Sequence, residues 1–160
     1  MSTPSNPSLG VRSGARPLLA AAALALTALC AAAQDGAAYL KAAAAEPGAV
    51  VTGSGLVYRA LAEGKGAAPK ASDTVRVHYK GTLVDGREFD SSYSRGQPAA
   101  FPLDRVIRCW TEGVQRMKVG GQARLTCPAV IAYGDRGAGG VIPPNAVLQF
   151  EVELLGIEGN

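Results

Sequence analysis

The sequence predicts an α+β domain over residues 54–160, a twisted antiparallel β-sheet wrapped over one short α-helix, and three observations lead there. Beyond Gly53 the segments are short, alternate apolar with polar residues and are divided by Gly, Pro and Asp, the pattern of antiparallel strands with one buried face. Between those strands lies one helical pattern, so a single helix packs on a single sheet. The chain has 160 residues, enough for one compact domain with an apolar core and some additional sequence, and too few for two full domains.

Residues 1–33 read as a secretory leader: a polar start with Arg12, an apolar run from Leu18 to Ala33, and the small residues Ala31-Ala32-Ala33 before Gln34. The apolar run falls short of the roughly 20 residues that span hydrocarbon, which speaks against a membrane span. Cleavage before Gln34 places the mature protein in the periplasm or outside the cell. The alternative is a lipoprotein anchored at Cys30, disfavoured because Leu29 stands where a small residue is usual.

Residues 34–53 form an Ala-rich extension with a break at Pro47-Gly48, predicting a short helix over Ala37 to Ala45 and then a linker without chemistry. Such a helix lacks dimerising heptads, so a monomer is expected. In Thr74 to Leu83 the residues Val75, Val77, Tyr79 and Leu83 share one face, and Arg76, His78 and Lys80 the other. Ala123, Leu125 and Cys127 repeat this alternation, as do Leu148, Phe150, Val152 and Leu154. Trp110, Val114 and Met117 are spaced as on one helix face, predicting a helix over Arg108 to Lys118 stopped by Gly120-Gly121.

Composition excludes several functions. The formal net charge is +3, Arg12 and Arg16 belong to the leader, and the remaining basic residues are interleaved with acidic ones, which is not a nucleic-acid footprint. There is one histidine, and neither an HExxH, a GxSxG nor a Walker motif is present. His78 falls on the polar face with Arg76 and Lys80, a place for a structural imidazole. No metal site is implied, because the cysteines and the histidine lie far apart and lack the close Cys-x-x-Cys pairing. The glycines from Gly134 to Gly140 lack the lysine and the following helix of a phosphate cradle, and read as a flexible loop. Removal of the leader leaves Cys109 and Cys127 in a compartment that permits disulfides; a bridge and two buried thiols remain equally open.

The aromatic residues Tyr79, Phe89, Phe101, Trp110, Tyr133 and Phe150 fall at element ends or on inward faces, as core residues would. Their surroundings add more. The stretches Val77-His-Tyr-Lys-Gly-Thr-Leu83, Asp85-Gly-Arg-Glu-Phe-Asp-Ser-Ser92, Val106-Ile-Arg-Cys-Trp-Thr-Glu-Gly113, Ala132-Tyr-Gly134, Val141-Ile-Pro-Pro-Asn145 and Leu148-Gln-Phe-Glu-Val-Glu-Leu-Leu155 resemble, in order, the motifs of the FKBP-type peptidyl-prolyl cis/trans isomerases. The resemblance runs from about Gly53 to Glu158, and the leader resembles that of exported bacterial, Mip-like members.

The resemblance implies an isomerase without cofactor or metal, acting on proline-containing polypeptides and open to macrolide inhibitors of this class. It implies a pocket with Trp110 as floor and Tyr79, Phe89, Val106, Ile107, Tyr133 and Phe150 as walls. The Ile107 N–H and the Tyr133 hydroxyl would meet ligand carbonyls, with Asp90 at the edge paired to Arg95. Phe101, Val141 and Ile142 complete the expected substrate contacts. Ala99 and Ala138 replace larger rim residues, and Cys109 replaces a common glycine, which implies a more open rim. A polypeptide-binding module or chaperone using the same groove is the alternative reading.

Overall fold

The computed structural model describes residues 35–159. The leader, the cleavage point before Gln34 and the lipidation alternative at Cys30 lie outside the described residues. Residues 35–44 form helix α1. The strands are β1 (Ala49–Val51), β2 (Val57–Ala62), β3 (Thr74–Leu83), β4 (Glu88–Ser91), β5 (Ala99–Pro102), β6 (Gln122–Cys127) and β7 (Leu148–Glu158). Helix α2 (Arg108–Val114) lies between β5 and β6, preceded by a 3₁₀ turn at Leu103–Arg105. All seven strands form one antiparallel sheet in the order β1-β2-β6-β7-β3-β4, with β5 added to β3.

The period-two pattern sorts the sheet into two faces as the sequence predicts. Val75, Val77, Tyr79 and Leu83 of β3 are buried, as are Ala123, Leu125 and Cys127 of β6 and Leu148, Phe150, Val152 and Leu154 of β7. Burying the Val, Leu and Phe side chains among them contributes about 1.5–3 kcal/mol each. They pack with Trp110, Val114 and Met117 in one core. The approach of α2 to the sheet is close: a Cβ added to Gly113 would lie 2.7 Å from Leu125.

Helix α2 ends at Val114 rather than Lys118. Past that point the chain turns by i→i+3 bonds, Arg116 N–H to Gly113 at 3.1 Å and Met117 N–H to Val114 at 3.0 Å. The tighter turn still delivers Met117 to the core, where it is buried, so the apolar spacing outlasts the helix itself.

Residues 35–53 are more than a linker. Strand β1 pairs with β2 in the sheet, and α1 lies on the face opposite α2. There the Tyr39 hydroxyl donates to Gln149 Oε1, and Ala43 is buried. Glu46 pairs with both Arg59 and Arg124, and Arg124 continues to Glu151 at 2.8 Å. Gly36 sits where a Cβ would lie 2.9 Å from Val147 Cγ2. The stretch from Gly134 to Gly140, read from sequence as a flexible loop, belongs to a tight hairpin in which Ala138 and Ile142 exchange both backbone bonds at 3.0 Å.

Candidate active site

Strand β3 carries the site because its partners on one edge are interrupted. Strand β5 covers Thr74 to Val77 and β4 covers Lys80 to Thr82, leaving His78 and Tyr79 between them. The Tyr79 N–H therefore finds no strand partner there, and the buried Ser92 supplies one: its Oγ accepts from Tyr79 N–H at 2.8 Å, while Ser92 N–H donates to the Tyr79 carbonyl at 3.0 Å. Buried backbone groups require such partners. His78, pointing to the other face, stacks on Tyr93 at 4.6 Å and meets Ser92 Oγ through Nδ1, well away from the cavity lining.

Under this gap lies a cavity of about 360 Å³ lined by Tyr79, Phe89, Asp90, Phe101, Arg105, Val106, Ile107, Trp110, Tyr133 and Phe150. Trp110, 4 % exposed, forms its base. Three rings meet the indole edge to face: Tyr79 at 5.2 Å, Phe150 at 5.4 Å and Phe101 at 5.5 Å between centroids. Phe89 continues the wall by standing on Phe150 at 5.5 Å. Edge-to-face pairs of this kind add about 0.5–1.5 kcal/mol each beyond burial, so the apolar walls are held in place without a ligand.

At the mouth, three polar groups form a closed triangle. The Tyr79 hydroxyl donates to Asp90 Oδ2, Arg95 Nη1 donates to Asp90 Oδ1, and Arg95 Nη2 donates to the Tyr79 oxygen at 3.0 Å. Burial, reinforced by the hydrogen bond to Asp90, raises the Tyr79 pKa above its ordinary value. Burial acts to raise that of Asp90 as well, but the hydrogen bonds from Tyr79 and Arg95 outweigh it and hold the carboxylate below its usual range. Tyr79 is thereby kept as a neutral donor and Asp90 as an anion.

Ile107 stands at the N-cap of α2 with no side-chain cap. Among the described residues its N–H pairs with no backbone carbonyl, as expected for a donor at a helix start. This leaves the amide of one lining residue without a backbone partner. Tyr133, 40 % exposed, lines the same cavity from the segment after β6.

Of the residues named from sequence, Tyr79, Phe89, Asp90, Val106, Ile107, Trp110, Tyr133, Phe150 and Phe101 come together on this lining. Arg95 stands just outside, on Asp90. Ile142 is buried in the core and Val141 is exposed on the hairpin, and neither lines the cavity. Ala138 packs against the core, and Ala99 pairs with Val77. Sequence reading missed Arg105, an exposed residue closing the 3₁₀ turn; its place directly before Val106-Ile107 was the available signal. Cys109 and Cys127 are joined by a disulfide, with their Cα atoms 5.9 Å apart. The arrangement offers apolar surface and one anion, with a backbone amide at Ile107 and a hydroxyl at Tyr133 among its lining residues, and among the described residues it places no nucleophile beside a base.

The model of the family described as FKBP-type peptidyl-prolyl cis-trans isomerase matches residues 65–155. The chain is 57 % identical over 120 residues to the FKBP-type peptidyl-prolyl cis-trans isomerase FkpA of Aeromonas hydrophila, covering 75 % of this chain and 44 % of that protein. The chain thus spans less than half the length of that relative. It is similar to the crystal structure of FkpA from Escherichia coli, with a TM-score of 0.79 at 48 % identity, covering 84 % of this chain and 63 % of that one. A peptidyl-prolyl cis-trans isomerase from Pseudomonas syringae pv. tomato superposes with a TM-score of 0.74 at 38 % identity, covering 79 % of this chain and 93 % of that one.

Proposed function

The chain belongs to the FKBP-type peptidyl-prolyl cis-trans isomerase family, and from that premise we propose that its cavity accelerates rotation about X-Pro bonds in exported polypeptides. The observation that carries the proposal is the apolar, aromatic cavity over Trp110, with room for a prolyl ring and polar groups at its edge.

Rotation about a peptide bond crosses a barrier of about 18–20 kcal/mol because the twisted amide loses its resonance. With that loss goes part of the charge separation of the planar amide. Trp110, Tyr79, Phe89 and Phe150 replace water around the prolyl ring, so they favour the twisted form over the planar one. Acceleration follows from that difference in binding, at tenfold for each 1.4 kcal/mol or so. The Ile107 N–H and the Tyr133 hydroxyl hold the carbonyls flanking the ring, and Asp90, fixed by Arg95, presents its negative field at the mouth. No step requires proton transfer, a cofactor or a metal.

On this reading the substrates are unfolded or partly folded chains containing proline. Macrolides that present a proline-like ring and adjacent carbonyls fit the same cavity. The leader supports export and cleavage before Gln34, and the absence of dimerising heptads supports a monomer; among the described residues no helix is long and apolar enough to cross a membrane.

A second reading, a module that holds extended polypeptide, is favoured by Tyr133, exposed on the cavity lining, and by the exposed Val130 three residues before it. Exchange spectroscopy on a proline-containing peptide tests the first: cis and trans resonances should coalesce with substoichiometric protein. Peptide binding without faster exchange would instead support the holding module, as would suppression of aggregation by a variant that no longer isomerises.

A further inference from the structure

We propose that the Cys109–Cys127 disulfide is a positioning element of the active site, setting the Ile107 N–H and Trp110 against Tyr133. The inference rests on the isomerase reading of the cavity and adds two residues that do not line it.

Cys109 lies in the first turn of α2, between Ile107, which offers its amide, and Trp110, which forms the base. Cys127 is the last residue of β6, and the chain runs from it through Pro128 and the 3₁₀ turn Ala129–Ile131 to Tyr133. One covalent link therefore joins the roots of the two segments that carry the ligand-facing donors. Both sulfur-bearing residues are fully buried.

Other restraints on α2 leave one freedom that the bridge removes. The helix is seven residues long and has no side-chain cap at Ile107, so it has little stability of its own. Rings from β3, β5 and β7 meet the indole edge-on, and the Thr111 hydroxyl donates to Leu103 at 2.6 Å. These contacts hold the helix from the side of the cavity. Toward β6 the contact line is Cys109 and Gly113, one helical turn apart, against Cys127 and Leu125, two residues apart on the strand. Gly113 lets the backbones approach, but apolar contact with Leu125 is non-directional, and the hydrogen bond from Ser54 Oγ to Glu112 Oε2 at 2.6 Å joins two side chains that can turn with the helix, so a roll stays open. A cross-link at the other end of that line stops the roll, which would carry the Ile107 amide and the indole away from Tyr133. Displacements of about 1 Å at such groups are enough to cost up to a hundredfold in rate.

The test compares the full chain with its Cys109→Ala/Cys127→Ala variant at a temperature where circular dichroism shows both folded. The first readout is kcat and KM for proline-peptide isomerisation. The second is the fluorescence anisotropy decay of Trp110, the only tryptophan in the sequence. The proposal expects kcat/KM to fall about tenfold, with part of the loss in KM, and the local motion of the indole to widen. Should the variant not fold, Cys109→Ala/Cys127→Val, which refills the volume of the bridge with apolar atoms, replaces it in both measurements. A folded variant with unchanged kcat/KM and unchanged anisotropy decay would overturn the proposal and leave the bridge a staple for stability alone. An inactive wild type would defeat the isomerase reading, and the anisotropy comparison would still decide whether the bridge positions the indole.

Discussion

Gly81 of β3 and Phe89 of β4 approach so closely that a Cβ on Gly81 would lie 2.5 Å from the Phe89 ring and 3.0 Å from Phe150. The glycine is thus what lets the two rings stand over the cavity. Gly81→Ala must push Phe89 aside, and overpacking of this kind costs about 1–3 kcal/mol. The variant should be folded but destabilised, with kcat/KM lowered severalfold, checked by urea unfolding and peptide kinetics on the same preparation.

The charge triangle at the mouth makes a pH prediction of definite sign. Asp90 has a depressed folded pKa, so its contribution to stability is complete above the ordinary carboxylate value of about 3.9. That contribution is lost as pH falls through the depressed folded value. The advantage of wild type over Asp90→Asn should therefore be constant near neutrality and vanish in acid. With its side chain 44 % exposed, solvent screening keeps that advantage below about 1 kcal/mol. Denaturation midpoints measured from pH 7 to pH 2 for both proteins check it.

Activity should not follow the same titration. Tyr79 is held protonated beyond its usual range and no residue of the lining is placed as a proton shuttle. We expect kcat/KM to be flat from about pH 5 to pH 9, and a bell-shaped profile would contradict the mechanism.

Helix α1 gives a prediction separable from the cavity. Gly36→Leu would collide with Val147, and overpacking there costs about 1–3 kcal/mol of local stability. Hydrogen exchange across residues 35–46 should accelerate, while peptide kinetics at the distant cavity stay within twofold of wild type.

Removal of the disulfide also has an equilibrium consequence. The bridge closes a loop with a sequence separation of 18, and a loop of this length stabilises by roughly 3 kcal/mol in the chain-entropy account. Unfolding of the reduced and oxidised protein in guanidinium measures the difference directly.

Much of this was legible in the sequence because buried faces impose a period. The alternation in β3, β6 and β7 and the spacing of Trp110, Val114 and Met117 located the sheet, its inward face and the helix that carries the cavity base. The resemblance to the family named nine residues that the structure brings onto one lining. Other features had no local signal. The end of α2 at Val114 was hidden because Met117 remains buried after the helix has tightened into a turn. The docking of α1 depends on Gly36 meeting Val147 and on Glu46 meeting two arginines from distant strands, and neither contact is written in the spacing of an Ala-rich segment. Val141 and Ile142 were placed by motif, yet the hairpin turns one to solvent and the other into the core. The Cys109–Cys127 pairing depends on a Cα separation that spacing along the chain does not give.

The central claim is that the apolar cavity over Trp110 catalyses prolyl rotation, and a protease-coupled assay on Ala-X-Pro-Phe peptides tests it most directly. Purified full chain and its Trp110→Leu variant, both shown to be folded, are compared at equal concentration. Wild type should accelerate isomerisation clearly, and the variant should lose that acceleration by at least tenfold. Equal acceleration by both proteins would contradict the assignment of the site, and no acceleration by folded wild type would contradict the function.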